Sequence, residues 1–534
     1  MRPFDANGAF HPAVAGDGLR RLAVRGAGVT VFSGGVALCV QIVATVVLAR
    51  LLAPSDFGVV AMVTTFSLLL VNFGLNGFTE AVIQREEIDR FLVSNLFWIN
   101  LGAGVLLTIG FAAAGSLLAR FYGDLRVARV AAGMSITIFL TTLSVQHLAL
   151  LKRAMRFSLV SSNDIVASVV AVVVSIFLGW AGWGYWALVA GAVAKAFSQF
   201  VGAWFLCRWV PSLPRRASGT MSMVRFALST YGRFTANYCT WNLDNLLIGW
   251  RLGPVSLGFY KKAYDLFSLS VSQTTAPLTS VAVSALSRIR SDSTQYKRYF
   301  LGAIGVTAFV GMGLGADLLL IGKDLIRLLL GPKWGEAGRI FVFFCPGIGI
   351  MLLYYTHGWL HLSLGRADRW LRWGFVEFTV TALLFFLALP WGAVGIATAW
   401  TLSFWILTLP SLWYAGRPIQ LGIAPLIAAV WKYILASLLA GGASAAIIPR
   451  LPSFADASGS VLALVHLVTI SILFVTLYLG AVILLHRGCA PLYQVARLLQ
   501  EMMTRRRFSR LSPTLVTAPL NSVGAAVTAG TGTN

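Results

Sequence analysis

Long apolar runs, each broken by a short cluster of charges, follow one another along almost the whole chain. They place membrane-spanning helices near residues 29–49, 57–83, 92–118, 128–151, 160–181, 184–207, 224–250, 256–286, 300–321, 336–363, 371–389, 393–415, 424–448 and 460–486. A bilayer core of about 30 Å needs roughly 20 such residues in an α-helix, so the pattern predicts an all-α polytopic membrane protein with about 14 transmembrane helices. The first run begins near Val29 and continues past Leu48 without a small-residue cleavage site after a short core, and it reads as a retained span. Two runs are interrupted by polar groups, Arg233 to Asp244 in the seventh and Lys261 to Asp265 in the eighth. Such groups are costly towards lipid, so these helices are predicted to face a cavity.

Composition agrees with the pattern: of 534 residues, 57% are hydrophobic and 11% charged. No polar stretch is long enough to fold as a separate catalytic domain, which excludes enzymes with soluble active domains. The net charge of +23 would suggest nucleic acid in a soluble chain. Here Lys and Arg punctuate apolar runs and form no basic face, so the charge reports topology and no nucleic-acid partner is expected. With the N-terminus inside, about 27 Lys and Arg fall on the cytoplasmic side and about 10 outside, which favours N-in, C-in. The cytoplasmic set includes Arg20, Arg21, Arg25, Lys152, Arg153, Arg156, Arg215, Arg216, Arg288, Arg290, Lys297, Arg298, Arg366, Arg369 and Arg372. Arg505, Arg506, Arg507 and Arg510 in the tail read as a topogenic cluster that also touches anionic lipid. Five scattered cysteines without CxxC spacing (Cys39, Cys207, Cys239, Cys345 and Cys489) are expected to be buried thiols.

An internal repeat sharpens the architecture. Leu52, Pro54 and Gly58 recur as Leu252, Pro254 and Gly258; Arg153-Ala154-Met155-Arg156-Phe157 recurs as Arg366-Ala367-Asp368-Arg369-Trp370; Trp183-Gly184 recurs as Trp391-Gly392. Six spans separate equivalent points, and an even number restores the same orientation, so the halves read as parallel repeats about an axis along the membrane normal. The expected organisation is a cytoplasmic N-terminal tail (1–28), a six-helix bundle (29–210), a cytoplasmic linker (211–223), a second six-helix bundle (224–415), two additional transmembrane helices (424–486) and a cytoplasmic tail (487–534).

Candidate chemistry lies in the polar interruptions. Arg233, Asn237, Thr240 or Trp241, and Asp244 recur every three or four residues, as on one face of a helix, and suit either a cavity wall or structural pairing. Lys261 and Asp265 have i,i+4 spacing and can pair, whereas Lys262 points elsewhere, towards an anion or towards headgroup water by snorkelling. In the first half Asn72, Asn76, Glu80 and Gln84 repeat every four residues, and Lys195 with Gln199 and Lys432 add intramembrane polar groups; Glu80, Asn76 and Lys195 are the candidates for ion coupling or for the other wall of a cleft. His357 and His361 have a spacing that suits two zinc ligands, but Gly358 stands where a zinc protease has its glutamate, and no metal is expected. Gly311, Gly313 and Gly315 lie within a membrane run and read as close helix packing. No Walker A motif is present and no cofactor is expected, so transport is facilitated or ion-coupled.

Leu51-Leu52-Ala53-Pro54-Ser55-Asp56-Phe57-Gly58, Leu151-Lys152-Arg153-Ala154-Met155-Arg156-Phe157 and Trp183-Gly184-Tyr185-Trp186-Ala187-Leu188-Val189 resemble bacterial polysaccharide transport flippases. Leu257-Gly258-Phe259-Tyr260-Lys261-Lys262-Ala263-Tyr264 and Gly331-Pro332-Lys333-Trp334 fit the same pattern. These are Wzx-like members of the multidrug/oligosaccharidyl-lipid/polysaccharide exporter superfamily, and the match covers about residues 29 to 415. The family often has Tyr-Asn or Tyr-Ser where this chain has Lys261-Lys262. The resemblance implies a multi-pass inner-membrane transporter, not an enzyme, that moves an undecaprenyl-pyrophosphate-linked oligosaccharide outward for exopolysaccharide or lipopolysaccharide synthesis. Its expected partners are the lipid-linked oligosaccharide, membrane lipids and polysaccharide polymerase or export machinery. Arg233, with Lys261 and Lys262, would meet the pyrophosphate, and Asn237, Trp241 and Asp244 the sugars. The rival is a multidrug or cation antiporter of the same superfamily, which would prefer acidic and aromatic cavity residues.

Overall fold

The computed structural model describes residues 3–5, 8–10, 17–85, 87–215, 219–450, 460–490 and 492–493. Among them the chain forms α1 (Asp17–Leu51), α2 (Pro54–Phe73), α3 (Thr79–Gln84), α4 (Arg90–Tyr122), α5 (Arg126–Arg153), α6 (Phe157–Trp180), α7 (Tyr185–Cys207), α8 (Thr220–Thr240), α9 (Leu243–Arg288), α10 (Ser293–Leu330), α11 (Gly335–Ser363), α12 (Ala367–Ala388), α13 (Gly392–Gly416), α14 (Ile423–Ile447) and α15 (Ser460–His486). Eleven helical stretches of the described residues are long and apolar enough to cross a bilayer, which makes the chain a polytopic, all-helical membrane protein. The described residues up to Leu485 form one compact unit.

Local chemistry explains the helix ends. Asp89 caps α4 by accepting from the Leu92 N–H at 2.6 Å, and Asp292 caps α10 by accepting from the Thr294 and Gln295 N–H groups, each at 3.0 Å. Gly123 ends α4 with φ 70°, and the turn into α5 is held by an Asp124–Arg126 ion pair at 2.8 Å. The Arg126 guanidinium holds the Asp124 carboxyl below the usual carboxylate range. Gly184, just before α7, and Gly392, the first residue of α13, are the repeat-equivalent glycines and both have positive φ, at 56° and 70°, a backbone region that favours glycine.

The last two helices lean on α10. Tyr433 of α14 packs edge-on against Phe309, and Tyr478 of α15 stacks on the same ring while donating to the Phe309 carbonyl at 2.8 Å. Gly311 and Gly315 bring α10 against Gly349 and the Cys345 carbonyl of α11, as the close-packing reading expects.

Helix α1 begins at Asp17, and its membrane-crossing stretch, Phe32–Leu51, agrees with the first expected span. Three expectations need correction. The run 224–250 is two helices, because the chain turns at Trp241–Asn242 between α8 and α9. The four-residue polar repeat of span two is interrupted: a π-helical turn at Gly74–Phe78 joins α2 to α3 and shifts the register between Asn72 and Glu80. Cys207 and Cys345 are buried, whereas Cys39, Cys239 and Cys489 are exposed, because apolar sequence in this fold also covers an outward surface.

Candidate functional site

The two halves of the chain meet at one end of the molecule along α2 and α9, in a contact built by the repeated residues. Helix α9 changes direction at Gly253, where φ is 80°, and Pro254 starts its long segment. A Cβ at Gly58 would sit 1.7 Å from the Pro254 carbonyl oxygen, and a Cβ at Gly258 would sit 1.9 Å from that of Pro54. Each glycine therefore packs on the proline of the other half, at a distance no side chain tolerates.

Exchanged helix caps reinforce this seam. The last carbonyls of a helix lack intrahelical donors. Those of α1 accept from the second half: the Lys333 ammonium donates to the Arg50 and Leu52 carbonyls at 2.9 and 2.7 Å, and the Trp334 indole to that of Ala49 at 2.8 Å. Those of α10 accept from the first half, where Arg50 donates to the Leu328 carbonyl at 2.8 Å. Both cations sit at negative helix ends, where the helix dipole favours them. Phe57 lies edge-on to Trp334 at 5.5 Å, and the Lys262 ammonium stands 4.1 Å from the centroid of the Phe57 ring.

Below the seam, the second half carries a dry polar hub. Asp244 is fully buried, and its carboxylate accepts from the Tyr260 hydroxyl at 2.7 Å, the Trp400 indole at 2.9 Å and the Asn245 N–H at 2.7 Å. Trp241 stacks on Tyr355 and tilts against Trp400 at 5.3 Å, so one wall of the hub is aromatic. Lys261 and Asp265 form the anticipated pair at 2.6 Å.

The candidates from the sequence thus separate. Trp241 and Asp244 share the hub, Lys261 is held by Asp265, and Lys262 belongs to the seam. The side chains of Arg233, Asn237 and Asn76 lie outside the described residues, as does the Arg505–Arg510 cluster. Glu80 lines a cavity of 1330 Å³ at the opposite end of the first half, with Phe10, Arg85, Lys152, Arg153 and Phe157 among its neighbours. Arg153 is engaged there, donating to the Val82 carbonyl at 2.7 Å. Lys195 lies apart from all of these, 3.9 Å from Asp164, to which Gln199 also donates at 2.7 Å. His357 and His361 pack edge to face, 5.7 Å apart, beside Trp370.

Sequence reasoning missed Arg50, Tyr260, Lys333, Trp334 and Trp400 as parts of these constellations. The available signals were the repeat, since Leu52-Pro54-Gly58 and Leu252-Pro254-Gly258 mark the two sides of the seam, and the family-like stretches that contain Tyr260, Lys333 and Trp334.

Several known proteins share this sequence or this fold. The chain is 23% identical over 305 residues to the succinoglycan biosynthesis transport protein ExoT of Rhizobium meliloti (strain 1021), a match spanning 57% of this chain and 62% of that protein. It is 24% identical over 386 residues to the teichuronic acid biosynthesis protein TuaB of Bacillus subtilis (strain 168), covering 71% of this chain and 78% of the relative. The solved structure of the lipid II flippase MurJ in an inward closed conformation superposes with a TM-score of 0.69 at 14% identity, over 87% of this chain and 99% of that one. An inward-facing multidrug resistance MATE family transporter of the MOP superfamily superposes with a TM-score of 0.59 at 13% identity, over 72% of this chain and 94% of that one. The sequence pattern of one family covers residues 47–339, more than half of the chain, and includes both sides of the glycine seam; the chain belongs to the polysaccharide biosynthesis protein family.

Proposed function

We propose that this protein is a flippase that moves undecaprenyl-pyrophosphate-linked oligosaccharide repeat units across the bacterial inner membrane for exopolysaccharide or lipopolysaccharide synthesis. It does so by alternating access between two six-helix bundles, in an N-in, C-in arrangement of 14 transmembrane helices, with polysaccharide polymerase or export machinery receiving the product. The observation that carries this reading is the reciprocal seam: Gly58 on Pro254 and Gly258 on Pro54, capped by Arg50, Lys333 and Trp334, join the two halves through short contacts between rigid helices, while α8 also lies along the first half, with Tyr231 and Tyr238 donating to the Leu69 and Thr65 carbonyls. A seam of this kind is what rocking bundles break and remake. The end that carries it is the periplasmic one in the positive-inside assignment.

The names of the relatives point to polysaccharide precursors, and the fold is shared with a lipid II flippase. Lys261 and Lys262 are occupied by Asp265 and Phe57, so they serve the wall and the seam, and Arg233 is left as the cation proposed for the pyrophosphate, with Asn237 proposed for the sugars. An inside-negative potential favours expelling an anionic headgroup by about 2.3 kcal/mol per charge per 100 mV. The antiporter reading rests on the lower likeness to the multidrug transporter, with a TM-score of 0.59 against 0.69.

The test is the fate of the undecaprenyl-linked unit in a strain deleted for this protein. Accumulation on the cytoplasmic leaflet, relieved by wild type and not by Arg233→Ala, is expected. Normal polymer export with lost drug resistance would overturn the flippase reading, and rescue by Arg233→Ala would discard that residue alone.

A further inference from the structure

We infer that Asp164, Lys195 and Gln199 form a saccharide-binding subsite on the wall of the first bundle, facing the lumen between the two halves. The inference rests on the flippase reading and specifies where the sugar, as distinct from the pyrophosphate, is held.

The three side chains belong to neighbouring helices at membrane depth. Asp164 lies about two turns inside α6 from Phe157, and Lys195 about three turns inside α7 from Cys207. Asp164 and Lys195 are nevertheless 52% and 43% exposed, at a separation of 3.9 Å. An ion pair open to this degree within a bilayer is costly against hydrocarbon and is at home against water. Helix geometry says which way it faces. The exposed large apolar residues of α6 are Val166, Val169, Val170, Val173, Phe177 and Trp180, and those of α7 are Phe197, Val201 and Phe205. At roughly 100° per residue, Asp164 stands about 180° from Val173, and Lys195 about 200° from Phe197. The apolar stripes take the lipid side, and the ion pair takes the inner side.

The donor and acceptor set indicates the class of ligand. The Asp164 carboxylate accepts from Gln199 at 2.7 Å and has further lone pairs to offer, and the Lys195 ammonium keeps donors beyond its long contact with Asp164. The pair is neutral as a unit, so neither a cation nor an anion is preferred. A ligand with paired hydroxyls, which both donate and accept, satisfies all three groups at once.

The experiment uses the full-length protein in lipid nanodiscs. Two probes are compared: the undecaprenyl-pyrophosphate-linked repeat unit extracted from the host strain, and undecaprenyl pyrophosphate without sugar. Wild type is expected to bind the glycosylated probe more tightly. Asp164→Asn and Lys195→Met are each expected to weaken that probe about tenfold and leave the sugar-free probe unchanged, which also certifies the fold. Wild-type affinity for both probes in both variants would overturn the subsite and leave the flippase reading standing. Equal weakening of both probes would overturn it as sugar-specific, and failure of wild type to bind either probe would overturn the flippase reading itself.

Discussion

Spacing alone puts Asp244 on one helical stripe with Arg233, and its real environment is set by a turn at Trp241–Asn242. Neither glycine nor proline stands there; the only local signal is the polar cluster Thr240, Asn242, Asp244 and Asn245, with Asn242 as the N-cap of α9. Once α9 restarts, Asp244 turns into the bundle and organises Tyr260 and Trp400. Removing its carboxyl strands three buried donors, the Tyr260 hydroxyl, the Trp400 indole and the Asn245 N–H, each costing about 1–3 kcal/mol. Asp244→Leu is therefore expected to lower the melting temperature and the folded yield in detergent, with Asp244→Asn in between because it keeps one acceptor oxygen. A leucine variant that melts with wild type would show that the hub carries no stability. The Lys261–Asp265 pair, by contrast, was visible in advance, because both partners lie within one uninterrupted stretch of helix.

Between elements, the decisive contacts are backbone to backbone. A glycine pattern in the sequence says that something comes close, and only the packing says what. In Gly311 and Gly315 the neighbour is α11, as expected of a membrane run; in Gly58 and Gly258 it is the other half of the molecule. Overpacking such a contact costs about 1–3 kcal/mol, and this scale of coupling moves a conformational equilibrium by roughly 5- to 150-fold. Gly58→Ala is expected to drive the seam apart, lengthening the distance between spin labels at Leu125 and Trp391, two exposed positions on either side of it. Gly110→Ala, where nothing lies within 4 Å of the added carbon, is the matched control and is expected to leave that distance unaltered. Identical distance distributions in both variants would remove the seam as the closing contact. The caps from Arg50 and Lys333 were not legible, because each joins residues nearly 300 positions apart through carbonyls that every helix end possesses.

At the scale of the whole molecule, hydropathy alone is enough to read an all-helical, polytopic membrane protein. Helix-crossing runs are dictated by the bilayer, since every backbone group must be paired within it. Sidedness is a weaker inference from charge, and it is open to a direct check. In a variant with the native cysteines replaced by serine, a membrane-impermeant maleimide is expected to label Leu125→Cys in intact spheroplasts and to reach Arg156→Cys only after permeabilisation. The opposite pattern would invert the topology and move the seam to the cytoplasmic side.

The seam has one more property. Gly58 meets Pro254 while Gly258 meets Pro54, so residue i touches j and the counterpart of j touches the counterpart of i. Two-fold axes impose that reciprocity on homodimers, where a single patch is its own complement. In a homodimer every substitution in such a patch strikes both sides together. Joined in one chain, the sides are free to differ: Phe57 stands before one glycine, under the Lys262 ammonium, and Leu257 before the other. The latch is symmetric in its backbone and lopsided in its side chains, so the two halves need not let go at the same moment.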